Sequence, residues 1–193
     1  MATTDTRATP PVQDVVGTWT VDRAHSTVEF TAKHMMISTV RGAFADFEGA
    51  IAIDEDPTRS SAQVVIRTAS IGTNDERRDE HLRSGDFLET ERFPEMRFRS
   101  TSVRVVSEEE RTFTIEGELT VMDVTRAVSL DASVDGWRLD ADGKVERLAF
   151  SASTTIRRKD FGLTWNQVLE TGGVLVSDKV GIELTVSAVR ADA

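Results

Sequence analysis

The 193-residue chain has no cysteine, no tyrosine, only four prolines, and fewer basic than acidic side chains, 23 against 33. Without cysteine there is no disulfide framework, no thiol nucleophile, no CxxC redox pair and no thiolate-ligated zinc or iron–sulfur cluster. A formal net charge of -10 argues against nucleic acid as a partner, because phosphate recognition needs a basic face that releases counterions. No apolar run approaches the ~18 residues of a membrane span. Residues 1–16 (MATTDTRATPPVQDVV) show neither the basic start nor the apolar middle of an export signal. The expectation is therefore a cytoplasmic protein without an integral membrane segment. Residues 1–16, rich in Thr and Ala with a Pro10-Pro11 pair, read as a flexible arm, which leaves one domain over residues 17–191. A chain of this length buries roughly 70% of its surface on folding, so it can form a core without a metal or a cross-link.

What is present is strand periodicity. In Thr27-Val28-Glu29-Phe30-Thr31-Ala32, apolar and polar residues alternate, which places Val28, Phe30 and Ala32 on one face. The same alternation is cleanest in Glu116–Val121 and Val180–Val186. Further strands are expected over Thr18–Val21, Gly42–Ile53, Ala62–Ile71, Met96–Val106, Thr112–Val121, Ala127–Val134, Leu148–Ile156 and Val180–Val189. Eight or nine strands separated by turn signals make an all-β fold, a sandwich or a barrel. One stretch departs from this. Thr73-Asn74-Asp75-Glu76 matches a capping box, and the polar run to Arg83 suits a short helix that Gly85 can end. Asp86–Glu89 reads as a second short turn before Pro94, so a helical excursion is expected around residues 74–92.

Reactive side chains are sparse. His25, His34 and His81 are the only histidines, and no HxH or HxxxH spacing arranges them for a metal. Asp22, His25 and Ser26 are the residue types of a nucleophilic triad, but neighbours on an extended chain point to opposite faces. No GxSxG elbow accompanies them. Neither a catalytic residue nor a metal site is assigned.

Taken in order, Gly17-Thr18-Trp19 to Asp22, His25-Ser26-Thr27-Val28-Glu29-Phe30, Lys33-His34-Met35-Met36 and Gly42-Ala43-Phe44 resemble the opening of YceI-like proteins. The resemblance continues through Asp79–Leu82, Ser84–Phe87, Phe93-Pro94, Gly117–Thr120, Arg158–Leu163 and Val176–Asp178. It implies an eight-stranded antiparallel, lipocalin-like barrel around an elongated apolar cavity that binds or carries a polyisoprenoid or related long-chain amphiphile, such as a quinone-like lipid. It implies no cofactor and no established catalytic step; the alternative is an enzyme acting on an isoprenoid or lipid head group in the same cavity. Similar proteins often form homodimers. Burying a CH2 group yields about 0.8 kcal/mol and association costs roughly 4 to 15 kcal/mol, so three or four isoprene units suffice for useful affinity.

The inward, ligand-facing set expected from this resemblance and the strand alternation is Val28, Phe30, Phe44, Phe98, Phe113, Ile115, Phe150, Ile156, Ile182 and Leu184. The same residues would equally make a solid core. Met35 and Met36, in an unusually apolar hairpin connection, read either as an adaptable rim over a lipid tail or as a plug at one barrel end. Arg158 ties two strands through a bidentate carboxylate contact or holds a ligand's polar head. His25 and His81 make structural hydrogen bonds or meet that head.

Overall fold

The computed structural model describes residues 12–139, 145–168 and 173–191. Of the expected arm, residues 1–11 lie outside that set, while α1 (Val12–Val15) is a helical turn beside the barrel. Eleven strands follow among the described residues: β1 (Gly17–Val21), β2 (Thr27–His34), β3 (Ser38–Phe44), β4 (Phe47–Ile53), β5 (Ser61–Arg67), β6 (Ile71–Gly72), β7 (Glu95–Ser107), β8 (Thr112–Val121), β9 (Val124–Leu139), β10 (Val145–Arg157) and β11 (Val176–Arg190). The helix α2 (Glu76–Arg83) lies between β6 and β7.

Every pairing is antiparallel, and the sheet runs β1-β4-β5-β7-β8-β9-β10-β11 before β1 returns to pair with β11. That closes an eight-stranded barrel and removes its edges. β2 and β3 extend the wall along the lower part of β11, where Leu184 pairs with Val28 and Ile182 with Phe30. The alternation in the sequence is thus spent on one inner and one outer face, the barrel solution to an amphipathic sheet.

Two expected strands are interrupted. Gly42–Ile53 is split by a bend at Ala45-Asp46 into β3 and β4, and Ala62–Ile71 is broken by a 3-10 turn at Thr68–Ser70. Between β1 and β2, Asp22 caps the 3-10 turn Arg23–His25 by accepting from the Ala24 amide at 3.1 Å. This kink lets β1 and β2 pair in turn with β11.

The helical excursion forms, with a different cap from the one its sequence suggests. Asp75 is the N-cap, accepting from the Arg78 amide at 3.1 Å, and Thr73 instead donates its amide to Asp79 at 2.8 Å. Asp75 and Arg78 have the same three-residue spacing as Thr73 and Glu76, and Asp75 brings a charged acceptor to the helix start. The helix ends at Ser84 in extended backbone, and the chain continues through turns to Arg92.

The interior has two layers. Trp19, Val145, Leu148 and Ala188, each at most 2% exposed, fill one end with Phe150, Trp137 and Val15 packed on them. Trp19 Nε1 donates to the Val15 carbonyl at 2.8 Å, and the Arg190 guanidinium lies 4.6 Å from the Trp19 ring centroid. The second layer, around Val28, Phe44, Phe47, Met96, Val121 and Phe161, surrounds a void.

Candidate functional site

The void is a cavity of about 230 Å³ inside the barrel. Each strand contributes alternate side chains: Val28 and Phe30 from β2, Val64 and Ile66 from β5, Met96 and Phe98 from β7, Val128 and Leu130 from β9, and Val180, Ile182, Leu184 and Val186 from β11. Leu82 of α2 with Phe87 and Leu88 of the turn after it lie at the end remote from Trp19, joined by Leu163. Apart from Glu29, Thr154 and Arg158, all lining residues are apolar. Phe30, Phe98, Ile182 and Leu184 point inward and are still only half-buried, because part of each surface faces the void. A water needs two to four polar partners to occupy a cavity, and this wall offers almost none.

Two glycines make room for the rings. A Cβ at Gly42 would overlap the Phe30 ring, and one at Gly117 would overlap the Phe98 ring. Each phenylalanine lies across a strand neighbour that has no side chain. Gly117→Ala is therefore expected to push Phe98 into the cavity and to cost about 1–3 kcal/mol of stability, the usual range for overpacking, as measured by urea denaturation.

The cap at the α2 end is joined by aromatic contacts. The His81 ring lies 4.6 Å from Trp165 and 5.0 Å from Phe87, both edge-on, and His81 Nε2 is 2.9 Å from Asp86. Below it, Arg158 opens the 3-10 turn Arg158–Phe161, which closes at Gly162 with φ +83°, a left-handed conformation suited to glycine. Arg158 is 3% exposed. Its expected carboxylate clasp is replaced by main-chain acceptors: Nε donates to the Ser177 carbonyl at 3.0 Å, and Nη1 to the carbonyls of Leu163 at 2.6 Å and Trp165 at 2.8 Å. One acceptor is on β11 and two are on the segment after the 3-10 turn, so the guanidinium ties that segment to the strand. Burial holds its pKa below the ordinary value, with Asp178 opposing.

Of the expected ligand-facing residues, Val28, Phe30, Phe44, Phe98, Ile156, Ile182, Leu184 and Arg158 line the cavity. Phe150 shares the inward register of β10 but packs in the Trp19 layer. Phe113 and Ile115 share the parity of Leu119 and Val121 on β8 but lie outside the lining, at the end of the strand that pairs with the far part of β7. Met35 and Met36 are also outside it. They are the first two of the three residues at the tip of the β2–β3 hairpin, Met35–Ile37, both at positive φ (50° and 63°), and are 42% and 58% exposed. Two consecutive left-handed residues match the twist of the flanking strands, and both side chains are exposed and outside the cavity lining.

His25 also stands on the outer wall, its Nδ1 2.8 Å from Asp22. The 3-10 turn brings that pair together, but the Ser26 hydroxyl donates to the Asp22 main-chain carbonyl at 2.7 Å and accepts from the Ser187 amide at 2.9 Å. The triad residue types therefore meet as a structural knot. Among the described residues, no three His, Asp or Glu side chains converge to hold a metal ion. Arg147 Nη1 lies 2.6 Å from Asp22, and Arg147, followed by His25, holds the Asp22 carboxyl at about 2, below its usual 3.8. A carboxyl depressed by folding contributes stability that is complete above its unfolded pKa and is lost as pH falls through the folded one. Asp22→Asn should therefore flatten the loss of thermal stability between about pH 4 and pH 2 and lower stability at neutral pH, as thermal melts across that range would show.

Sequence reasoning missed the cap. Leu82, Phe87, Leu88 and Leu163 line the cavity, and the signal for them was the apolar pair Phe87-Leu88 inside an otherwise polar stretch.

Known proteins share this architecture. The described chain overlays on the crystal structure of BcnA from Burkholderia cenocepacia with a TM-score of 0.75 at 22% identity, covering 88% of this chain and 99% of that one. It overlays on a polyisoprenoid binding domain from Saccharophagus degradans with a TM-score of 0.66 at 15% identity, covering 89% and 98%. At those identities the likeness is one of fold. In sequence, a UPF0312 protein of Staphylococcus aureus strain N315 is 35% identical over 166 residues, which is 86% of this chain and 93% of the relative. The model of the YceI-like domain matches residues 19–188, from the buried Trp19 to Ala188 beside it, and the chain belongs to the YceI-like family.

Proposed function

We propose that the protein is a non-catalytic binding protein that holds a polyisoprenoid or similar long-chain amphiphile in the barrel cavity, for sequestration or carriage. The observation that carries this reading is the apolar void itself, walled by inward phenylalanines, valines and leucines, of which Phe30, Phe98 and Leu184 stay only half-buried. The wall is apolar apart from Glu29, Thr154 and Arg158, so the space suits a hydrocarbon chain better than it suits water. The solved relative described as a polyisoprenoid binding domain supports the ligand class. The commitment of Ser26 and Asp22 to structural contacts on the outer wall supports binding over turnover.

The test is a displacement titration with a fluorescent long-chain probe and unbranched-head prenyl alcohols of increasing length. Affinity should rise with each added isoprene unit until the cavity is filled, then level off. Absence of competition at every chain length would overturn the reading.

A further inference from the structure

One charged group in the cavity wall has incomplete hydrogen bonding. Arg158 sits at the α2 end of the cavity, 3% exposed, and lines it together with Leu163 and Val176. Three of its donor bonds go to main-chain carbonyls, those of Ser177, Leu163 and Trp165. Its Nη2 is buried and has no partner. Solvent is excluded from that atom as well, so bulk water does not supply the missing acceptor. Buried polar groups in folded proteins are almost always satisfied, and a buried cation is ordinarily paired. Here the compensation for burial comes from neutral carbonyls, with Asp178 acting through its charge alone.

We propose that Arg158 Nη2 is the head-group anchor of the cavity, and that the ligand is a long-chain amphiphile whose head carries an oxygen acceptor, best an anionic carboxylate or phosphate. This rests on the reading that the cavity holds an apolar chain. The head lies at the Arg158 end, under the α2 cap, and the tail runs along Ile182, Leu184 and Val186 towards the Trp19 layer. Charge-assisted hydrogen bonds from a guanidinium are roughly twice as strong as neutral ones, and the apolar wall around this one leaves no competing partner. A head group reaches Nη2 by shifting a side chain of the lining, so Arg158 discriminates between heads while the rest of the wall reads only the chain.

The experiment compares three ligands with one prenyl chain and different ends: a plain hydrocarbon, the primary alcohol and the monophosphate. Displacement titrations use wild type and R158K, which keeps the positive charge but puts one ammonium in place of the three guanidinium nitrogens. Wild type should bind the monophosphate at least tenfold tighter than the hydrocarbon, with the alcohol between them. R158K should shrink that preference to less than threefold, the ratio between the three ligands being the readout whatever the variant does to affinity for the hydrocarbon. Equal affinities across the three ligands in wild type would overturn the anchor and leave chain binding standing. A preference that survives in R158K would overturn it too. If none of the three binds, the binding reading itself falls and the anchor with it. The wild-type comparison needs no variant, so a poorly folding R158K does not protect the proposal.

Discussion

Trp19→Ala should lower the melting temperature by roughly 6–20 °C, from a loss of ~3–5 kcal/mol for truncating a buried aromatic and 2–4 °C per kcal/mol in a domain of this size. The indole is fully buried. It touches β10 and β11 through Leu148 and Ala188, and its neighbours Ile51 and Ile53 come from β4. It also anchors α1 through Val15, and Arg190 covers its outer side while donating to the carbonyls of Asp14 and Val16. Removing it leaves a hole where β1 closes the barrel between β4 and β11. The Trp19 layer is separate from the cavity lining, so prenyl-chain affinity of the remaining folded fraction should change by less than threefold. Differential scanning calorimetry with a parallel binding titration measures both quantities. A large loss of affinity at unchanged melting temperature would show that the two layers have been assigned to the wrong roles.

Filling the cavity should have the opposite signature. Ile182 lies mid-wall on β11, paired with Phe30 on β2 and Thr154 on β10, and faces the void. Ile182→Trp places an indole in space that a ligand chain would take. Overpacking a close-packed core costs about 1–3 kcal/mol, whereas here the added atoms enter a cavity and gain contacts that the wall lacks. The expected result is a melting temperature within a few degrees of wild type, or above it, and at least a tenfold loss of affinity for prenyl chains. Equal affinity in the variant would place the ligand elsewhere on the molecule.

Much of this architecture was legible in the residues. The alternation in Val180–Val186 and in Val28–Ala32 follows directly from the two-residue period of a strand, and both segments line the cavity as expected. Parity says which face a residue is on but not how far along the barrel it sits. Phe150 has the right parity and the wrong layer, since it packs beside Trp19. Phe113 and Ile115 fail in the same way, because strand lengths and register slips such as the bulge between Ser100 and Ser102 decide which rows reach the void. The Met35-Met36 tip was read from composition, and its placement depended on a turn geometry that two methionines do not advertise. At α2 the expected cap was Thr73, and Asp75 takes that place in the structure. The apolar pair Phe87-Leu88 marks the cap in the sequence, but its seat over the cavity and the open hydrogen-bonding site on Arg158 are set by tertiary packing that residue periodicity does not encode.

Mass spectrometry of the purified protein under native conditions, followed by organic extraction, tests most directly whether the cavity is a lipid site. The expected result is a co-purifying long-chain amphiphile at near one-to-one stoichiometry, released on denaturation and missing from Ile182→Trp. A protein that carries no lipid and takes up none from added prenyl compounds would contradict it.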